Sequence, residues 1–188
     1  MISLSTLEHV EHVSWAHDLA RRLLAEPLPT RWAHTEGVAW AARTIAHAVG
    51  ADASLLIDAA WLHDIGYAPD LAMTGLHPLD GARYLQMVAE SDTLLCRLVA
   101  NHSCAIVEAR HRGLVHELAE EFPAVDGLVA DALTYCDMTT SPNGRSVPVE
   151  ERLREIVARY GNGDVVAESI RQAGPKIIDT VRRIEALI

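Results

Sequence analysis

The stretch Ala59-Ala60-Trp61-Leu62-His63-Asp64-Ile65-Gly66 decides how this chain is read. Asp58 to Leu62 reads as the body of an apolar helix opened by Asp52 or Ser54, with Gly66 as its C-terminal stop. Neighbouring residues on a helix point about 100° apart, so His63 and Asp64 cannot share one face. Near a helix end, however, both can reach one central point. An imidazole beside a carboxylate on an apolar element is costly to bury unless the two are paired or bind a metal. Alone, the dipeptide is equally well a solvated or hydrogen-bonded pair, so its meaning depends on the rest of the chain.

Upstream, a helix is expected from Thr30, its N-cap, to Val49, with Gly50 as the stop. His34, Val38, Ala41, Ala42, Ile45 and Val49 form its inward stripe, so His34 points at the core and His47 away from it. An earlier helix, Ser5 to Ala25, ends before Pro27 and Pro29, and its His9, His12 and His17 are assigned to the polar side. Downstream, a loop from Tyr67 to Leu76 carries the breakers Pro69 and Gly75. His77 then opens a helix whose first turn suits Pro78, running to about Ala89. Asp92 caps the next helix, where Leu95, Leu98, Val99 and His102 share a face. Ala105 to Phe122 is a helix broken at Gly113, with His111 and His116 on the surface. Asp126 to Met138 carries Ala130, Leu133 and Asp137 on one side, and Thr139 to Pro148 is a polar turn. Helices from Val149 to Tyr160 and Val165 to Ile188 complete the chain, the last kinked or divided at Gly174-Pro175.

The 188 residues, 49% of them hydrophobic, suffice for one substantial core, and the alanine- and leucine-rich, aromatic-poor composition favours helices. The expectation is an all-α helical bundle, a single domain over 1–188, with a motif core at about 31–148 flanked by helices 5–25 and 149–188. A net charge of −10 argues against binding a nucleic acid polymer, though not against a small anionic substrate, because bound cations reverse the local field. Cys96, Cys104 and Cys136 are odd in number and form no C-x-x-C motif; without a secretory leader they read as reduced thiols of a cytoplasmic protein. Cys136 beside Asp137 is better explained as a small buried hydrophobe than as a nucleophile. No apolar run is expected to approach the ~18 residues that a membrane span needs.

His34, His63, Asp64, His77, His102 and Asp137 thus stand out as inward-facing or helix-end nitrogen and oxygen donors. Any one of them could be an ordinary buried, hydrogen-bonded side chain. Six at successive helix ends point to a metal centre, and mixed imidazole and carboxylate ligands suit Fe, Mn, Zn, Ni or Co better than Ca.

The order His34, His63-Asp64 within A-W-L-H-D-I-G, then Asp137 resembles the HD-domain superfamily of metal-dependent phosphohydrolases, over roughly Arg31 to Pro148. The resemblance implies a helical bundle with the metal site at its centre. His77 and His102 match the additional histidines of members that hold two metals, among them symmetrical dinucleoside tetraphosphate hydrolases and cyclic dinucleotide phosphodiesterases. Tyr67 stands where many members carry a lysine after H-D-I-G, which removes one phosphate-binding charge, and the G-Y-P signature of the cyclic di-GMP enzymes is absent. The same six donors also resemble those of HD-type mixed-valent di-iron oxygenases, which cleave C–C or C–P bonds.

The chemistry can also be argued from the donors. Asp64 suits a bridging role, one oxygen to each of two ions, with His34, His63 and Asp137 completing one ion and His77 and His102 the other. Two divalent ions outweigh two carboxylates, so the centre attracts phosphate and activates water at neutral pH. The catalytic weight falls on Asp64 and His63. Arg145, Arg83 and Tyr67 are candidate substrate-binding residues, and Asp80 or Glu36 could orient a ligand histidine. The expected function is hydrolysis of a nucleotide or another small phosphate ester by metal-activated water. The alternatives are the oxygenase and a metal-bearing regulatory domain without catalysis.

Overall fold

The computed structural model describes residues 15–88 and 93–188. Ten helices occur among them and no strand. These are α1 (residues 15–24), α2 (Pro29–Val49), α3 (Ala53–Leu62), α4 (His77–Val88), α5 (Thr93–Asn101), α6 (Ala105–Arg112), α7 (Val115–Glu121), α8 (Leu128–Met138), α9 (Val149–Tyr160) and α10 (Val165–Glu185). Short 3-10 turns at Gly50–Asp52, Ile65–Tyr67 and His102–Cys104 join several of them. The all-α single-domain expectation holds. The N-terminal part of the first helix, with His9 and His12, and the cap Asp92 lie outside the described residues.

The expected stripes bury as the spacing requires. On α2, His34, Val38, Ala42, Ile45 and Val49 are buried, joined by Thr35 and Ala39. α3 is buried from Leu56 through Leu62, which makes it the central rod of the bundle, with α2 and α8 packed along it. One large core joins α1 to α8, and Ile184 of α10 reaches it. A smaller one, built on Met138, Val149, Ile156, Ala173, Ile177 and Val181, seats the α9–α10 hairpin against the end of α8. The site described below lies between these two cores.

Several local expectations are corrected. α2 begins at Pro29 with no side-chain cap, so Thr30 is not its N-cap; proline at the first turn needs no amide partner. His17 is half-buried, its ring edge-on to Trp32 and Trp61 at centroid separations of 5.7 and 4.8 Å, rather than out on a polar face. Gly66 does not stop α3, which already ends at Leu62. Its role is close approach: a Cβ there would lie 1.9 Å from the carbonyl oxygen of His77 and 2.6 Å from the amide nitrogen of Gly81. Two glycines thus let the H-D-I-G turn rest on the backbone of α4. The last helix is not divided either, but continues through Pro175 to Glu185. Pro175 is on the exposed side, while Ala167, Ala173, Ile177, Val181 and Ile184 hold the helix down on either side.

The span Pro29–Tyr67 contains an 18-residue window with mean hydropathy 1.3, apolar enough to cross a membrane by length and composition, contrary to the expectation that no such run exists. Half of that window is buried inside the protein, as the central helices of a bundle require.

Candidate metal centre

Three helix ends, the second turn of α2 and one 3-10 turn deliver the six donors. α2 carries His34, the end of α3 carries His63 and Asp64, α4 opens with His77, the turn after α5 holds His102, and the last turn of α8 holds Asp137. His34, His63 and Asp64 each place one donor atom within 4.8 Å of the others, and so do Asp64, His77 and His102. Asp137 joins the first group, with Oδ1 at 3.0 Å from His34 Nε2 and 3.9 Å from His63 Nε2. Asp64 is common to both groups. Its Oδ2 is 3.4 Å from His63 Nε2 and 3.8 Å from His34 Nε2, and its Oδ1 is 3.3 Å from His77 Nε2. All six expected ligands therefore converge.

Backbone carbonyls orient three of the imidazoles. Nδ1 of His34 donates to Ser141 at 3.1 Å, that of His63 to Ala60 at 2.8 Å, and that of His102 to Val99 at 2.7 Å. A ring that donates through Nδ1 presents a lone pair at Nε2 when neutral. All three Nε2 atoms face the cluster, where the other atoms are carboxylate oxygens and the Nε2 of His77, 3.2 Å from that of His102. The buried His63 Nε2 makes no hydrogen bond. Carboxylate oxygens and imidazole nitrogens crowded into one buried space, with His34 Nε2 3.0 Å from Asp137 Oδ1, are held together by a shared proton or by a cation, and the residues present fit a bound divalent metal.

The electrostatics agree. Burial opposes charge at every member. At Asp64 the Arg31 guanidinium and the neighbouring His63 overcome it and hold the carboxyl well below the usual range. Asp137 is also held low against burial, through its bond to His34 and the nearby His63. His63, between the two carboxylates, is pushed up despite burial. At His34 and His102 burial prevails and lowers the pKa, and at His77 it does so to about 3. Ionised carboxylates and the neutral imidazoles of His34, His77 and His102 are the forms that metals bind, and a metal would take the place of the proton that His63 holds between the carboxylates.

Other residues complete the surroundings. Arg31 Nη1 donates to Asp64 Oδ2 at 2.7 Å, and its guanidinium carbon lies 3.9 Å from the centroid of the Tyr67 ring. Tyr67 stacks on His77 at 3.9 Å, so the residue in the place of the lysine positions a ligand ring and an arginine. Ser103 Oγ donates to Asp137 Oδ2 at 2.5 Å. The backbone at Ser103 and Cys104 has positive φ, 48° and 62°, a strained conformation for residues other than glycine.

The cleft over these donors is narrow, about 80 Å³, and opens to solvent. Its far wall is Arg152, Ile156, Arg159 and Tyr160 from α9 and Ser169 and Ala173 from α10. Of the expected substrate-binding residues only Tyr67 lines it. Arg83 pairs with Glu121 at the surface, and Arg145 is exposed beyond the turn. Asp80 accepts the amides of Met73 and Thr74 and so shapes the loop before His77 instead of orienting a ligand, while Glu36 is on the surface. Cys136 is buried and its thiol pushed up by burial, which suits a core residue. Arg31, Ser103, Arg152 and Arg159 were not anticipated. The available signal was Arg152 at i+3 between Val149 and Ile156 on the apolar stripe of α9.

A helical bundle with a buried histidine–carboxylate centre between its two cores defines an all-α domain whose donors could hold a metal. The chain belongs to the HD-domain family, whose model matches residues 31–137, more than half of its length. This is a family of metal-dependent phosphohydrolase type, and the convergent donors of this chain could hold such a metal. No solved structure gives a significant match to the chain.

Proposed function

We propose that this protein is a metal-dependent phosphohydrolase acting on a nucleotide or another small phosphate ester, with two divalent ions, iron or manganese, at the centre. The observation that carries the reading is the division of Asp64: its two oxygens face two separate histidine groups, His34 with His63 and His77 with His102. A carboxylate so placed suits a shared ligand. When bound, such ions polarise phosphoryl oxygens and make water acidic enough to act near neutral pH.

The protein's own residues do the remainder. The three Nδ1–carbonyl bonds keep His34, His63 and His102 aimed inward. Arg31 holds Asp64, and Tyr67 holds His77 and Arg31. Ser103 fixes the outer oxygen of Asp137. Ile156 and Ala173 give the cleft an apolar flank that limits water, and Arg152 and Arg159 supply positive charge to an anionic substrate.

The test is an anaerobic assay of manganese-loaded protein against a panel of nucleotides and phosphomonoesters. Phosphate release without oxygen is expected. Silence there, with substrate-dependent oxygen uptake by the iron-loaded protein, would replace this reading by the oxygenase. Silence in both would leave a binding or regulatory domain.

A further inference from the structure

The family match ends at Asp137, but the cleft does not. Arg152, on the wall contributed by α9, is only 3% exposed. Its Nη1 donates to Glu155 Oε2 at 2.5 Å, while its buried Nε has no partner. Arg159 Nε approaches the other oxygen of the same carboxylate, Oε1, at 3.4 Å. Two guanidinium groups thus share one carboxylate, which leaves an excess positive charge on this wall. The third arginine of the cleft, Arg31, is occupied by Asp64. All three also line a second cavity behind the first, with Pro27, Pro29 and Pro142 on its walls.

A buried cationic donor without an acceptor is unfavourable, and an unsatisfied group of this kind in a cleft is explained when a ligand supplies the acceptor. Guanidinium groups meet phosphate oxygens in a fork, so the natural acceptor is a phosphoryl group. The metal donors on the floor already provide for one such group under the phosphohydrolase reading, on which this inference rests. In a chain of net charge −10, a paired-arginine wall across from that floor offers more positive charge than one phosphoryl group on the metals would use.

We propose that Arg152, assisted by Arg159, binds a second anionic group of the substrate, so that the substrate is a phosphoanhydride or another compound bearing two phosphoryl groups rather than a singly phosphorylated alcohol. The C-terminal hairpin then sets the substrate class, and the H-D-I-G region sets the chemistry.

The test is calorimetric titration of anaerobic, manganese-loaded protein with inorganic phosphate and with methylenediphosphonate, a diphosphate stand-in that cannot be hydrolysed. The unaltered protein is expected to bind the diphosphonate at least about tenfold more tightly than phosphate, by the strength of charge-assisted hydrogen bonds. Arg152→Gln should remove most of that advantage, with a smaller loss of phosphate affinity and the same metal content. Arg159→Gln, at an exposed position, should reduce the advantage in the same direction and keeps the test decisive if the buried substitution destabilises the fold. Equal affinity for both ligands, an advantage unaffected by either substitution, or an equal loss for both ligands would each overturn the proposal. If the metal-loaded protein binds neither ligand, the phosphohydrolase reading itself fails; if phosphate binds without an arginine-dependent gain, only this inference does.

Discussion

Arg31 reaches Asp64 from outside the cluster: its Nη1 lies 2.7 Å from the Oδ2 that also faces His63 and His34. One carboxylate therefore serves an arginine and a histidine pair through Oδ2 and His77 through Oδ1. Removing it opens both halves of the centre and leaves the half-buried Arg31 guanidinium without its partner.

Asp64→Ala is accordingly expected to lose bound metal and at least ~100-fold in turnover, from the combined loss of ligand and metal activation. Metal analysis after purification without chelator, followed by the phosphate-release assay, measures both. His47→Ala is the matched control, because His47 is exposed and bonds only to the carbonyl of Thr44 in its own helix. Full activity in a metal-replete Asp64→Ala protein would remove the basis of the assignment.

Gly66→Ala tests the backbone contact beneath the centre. The new methyl would overlap the carbonyl of His77 and the amide of Gly81, both backbone atoms that cannot turn aside. Overpacking of this kind costs about 1–3 kcal/mol, and here relief must come from a shift of α4, which carries His77. The expected result is a lower urea midpoint together with weaker metal retention. A stable variant with unchanged metal content would show that the turn and α4 move apart freely.

The helices and their inward faces were legible because burial of a helix stripe follows its spacing. His34, His102 and Asp137 could be placed from that rule alone. The ligand cluster was legible for a related reason: polar side chains at inward helix ends need partners, and these could partner only one another or a metal. Contacts that depend on how distant helices dock were not legible. Arg83 and Arg145 were near the ligands in sequence but are turned elsewhere, whereas Arg152 and Arg159 reach the cleft because the α9–α10 hairpin folds back over it. Gly66 was misread because a glycine after an apolar helix has the same local signature whether it ends the helix or lets another backbone approach. Pro175 was misread because local propensity cannot show that packing on both sides holds α10 together.

The metal-free protein should lose stability as the pH falls below about 6.5. Histidines with lowered folded pKa values, His34, His77 and His102, take up protons first in the unfolded chain. Their contribution is fully present above the unfolded value of about 6.5 and is lost as pH falls, for His77 down to about 3. Asp64 and Asp137, held low, add a loss of the same sign below about 4. His63 opposes them: its raised value stabilises below about 6.5 and that contribution disappears as pH rises through the folded value. Three lowered histidines against one raised predict a net loss of stability between about pH 6.5 and 5. Urea unfolding of chelator-treated protein at several pH values measures it. A flat or opposite slope would mean that the cluster is hydrated or rearranged without metal.

Ser103 gives the most discriminating substitution, because its hydroxyl and its backbone make separate contributions. The hydroxyl holds Asp137 Oδ2, and the backbone sits at φ 48°. Ser103→Ala and Ser103→Gly both remove the hydroxyl, so both should weaken metal binding by about tenfold or more, as loss of a residue that orients a ligand typically does. They should differ in stability. Glycine accepts positive φ without a Cβ clash and alanine does not, so the glycine variant should be the more stable of the two by about 1 kcal/mol. Competition with a metal-sensitive chelator measures the first effect and urea unfolding of the metal-free proteins the second. Equal metal affinity in all three proteins would mean that Asp137 keeps its orientation through His34 alone. Weakened binding in the alanine variant only would assign the effect to backbone strain and not to the hydroxyl.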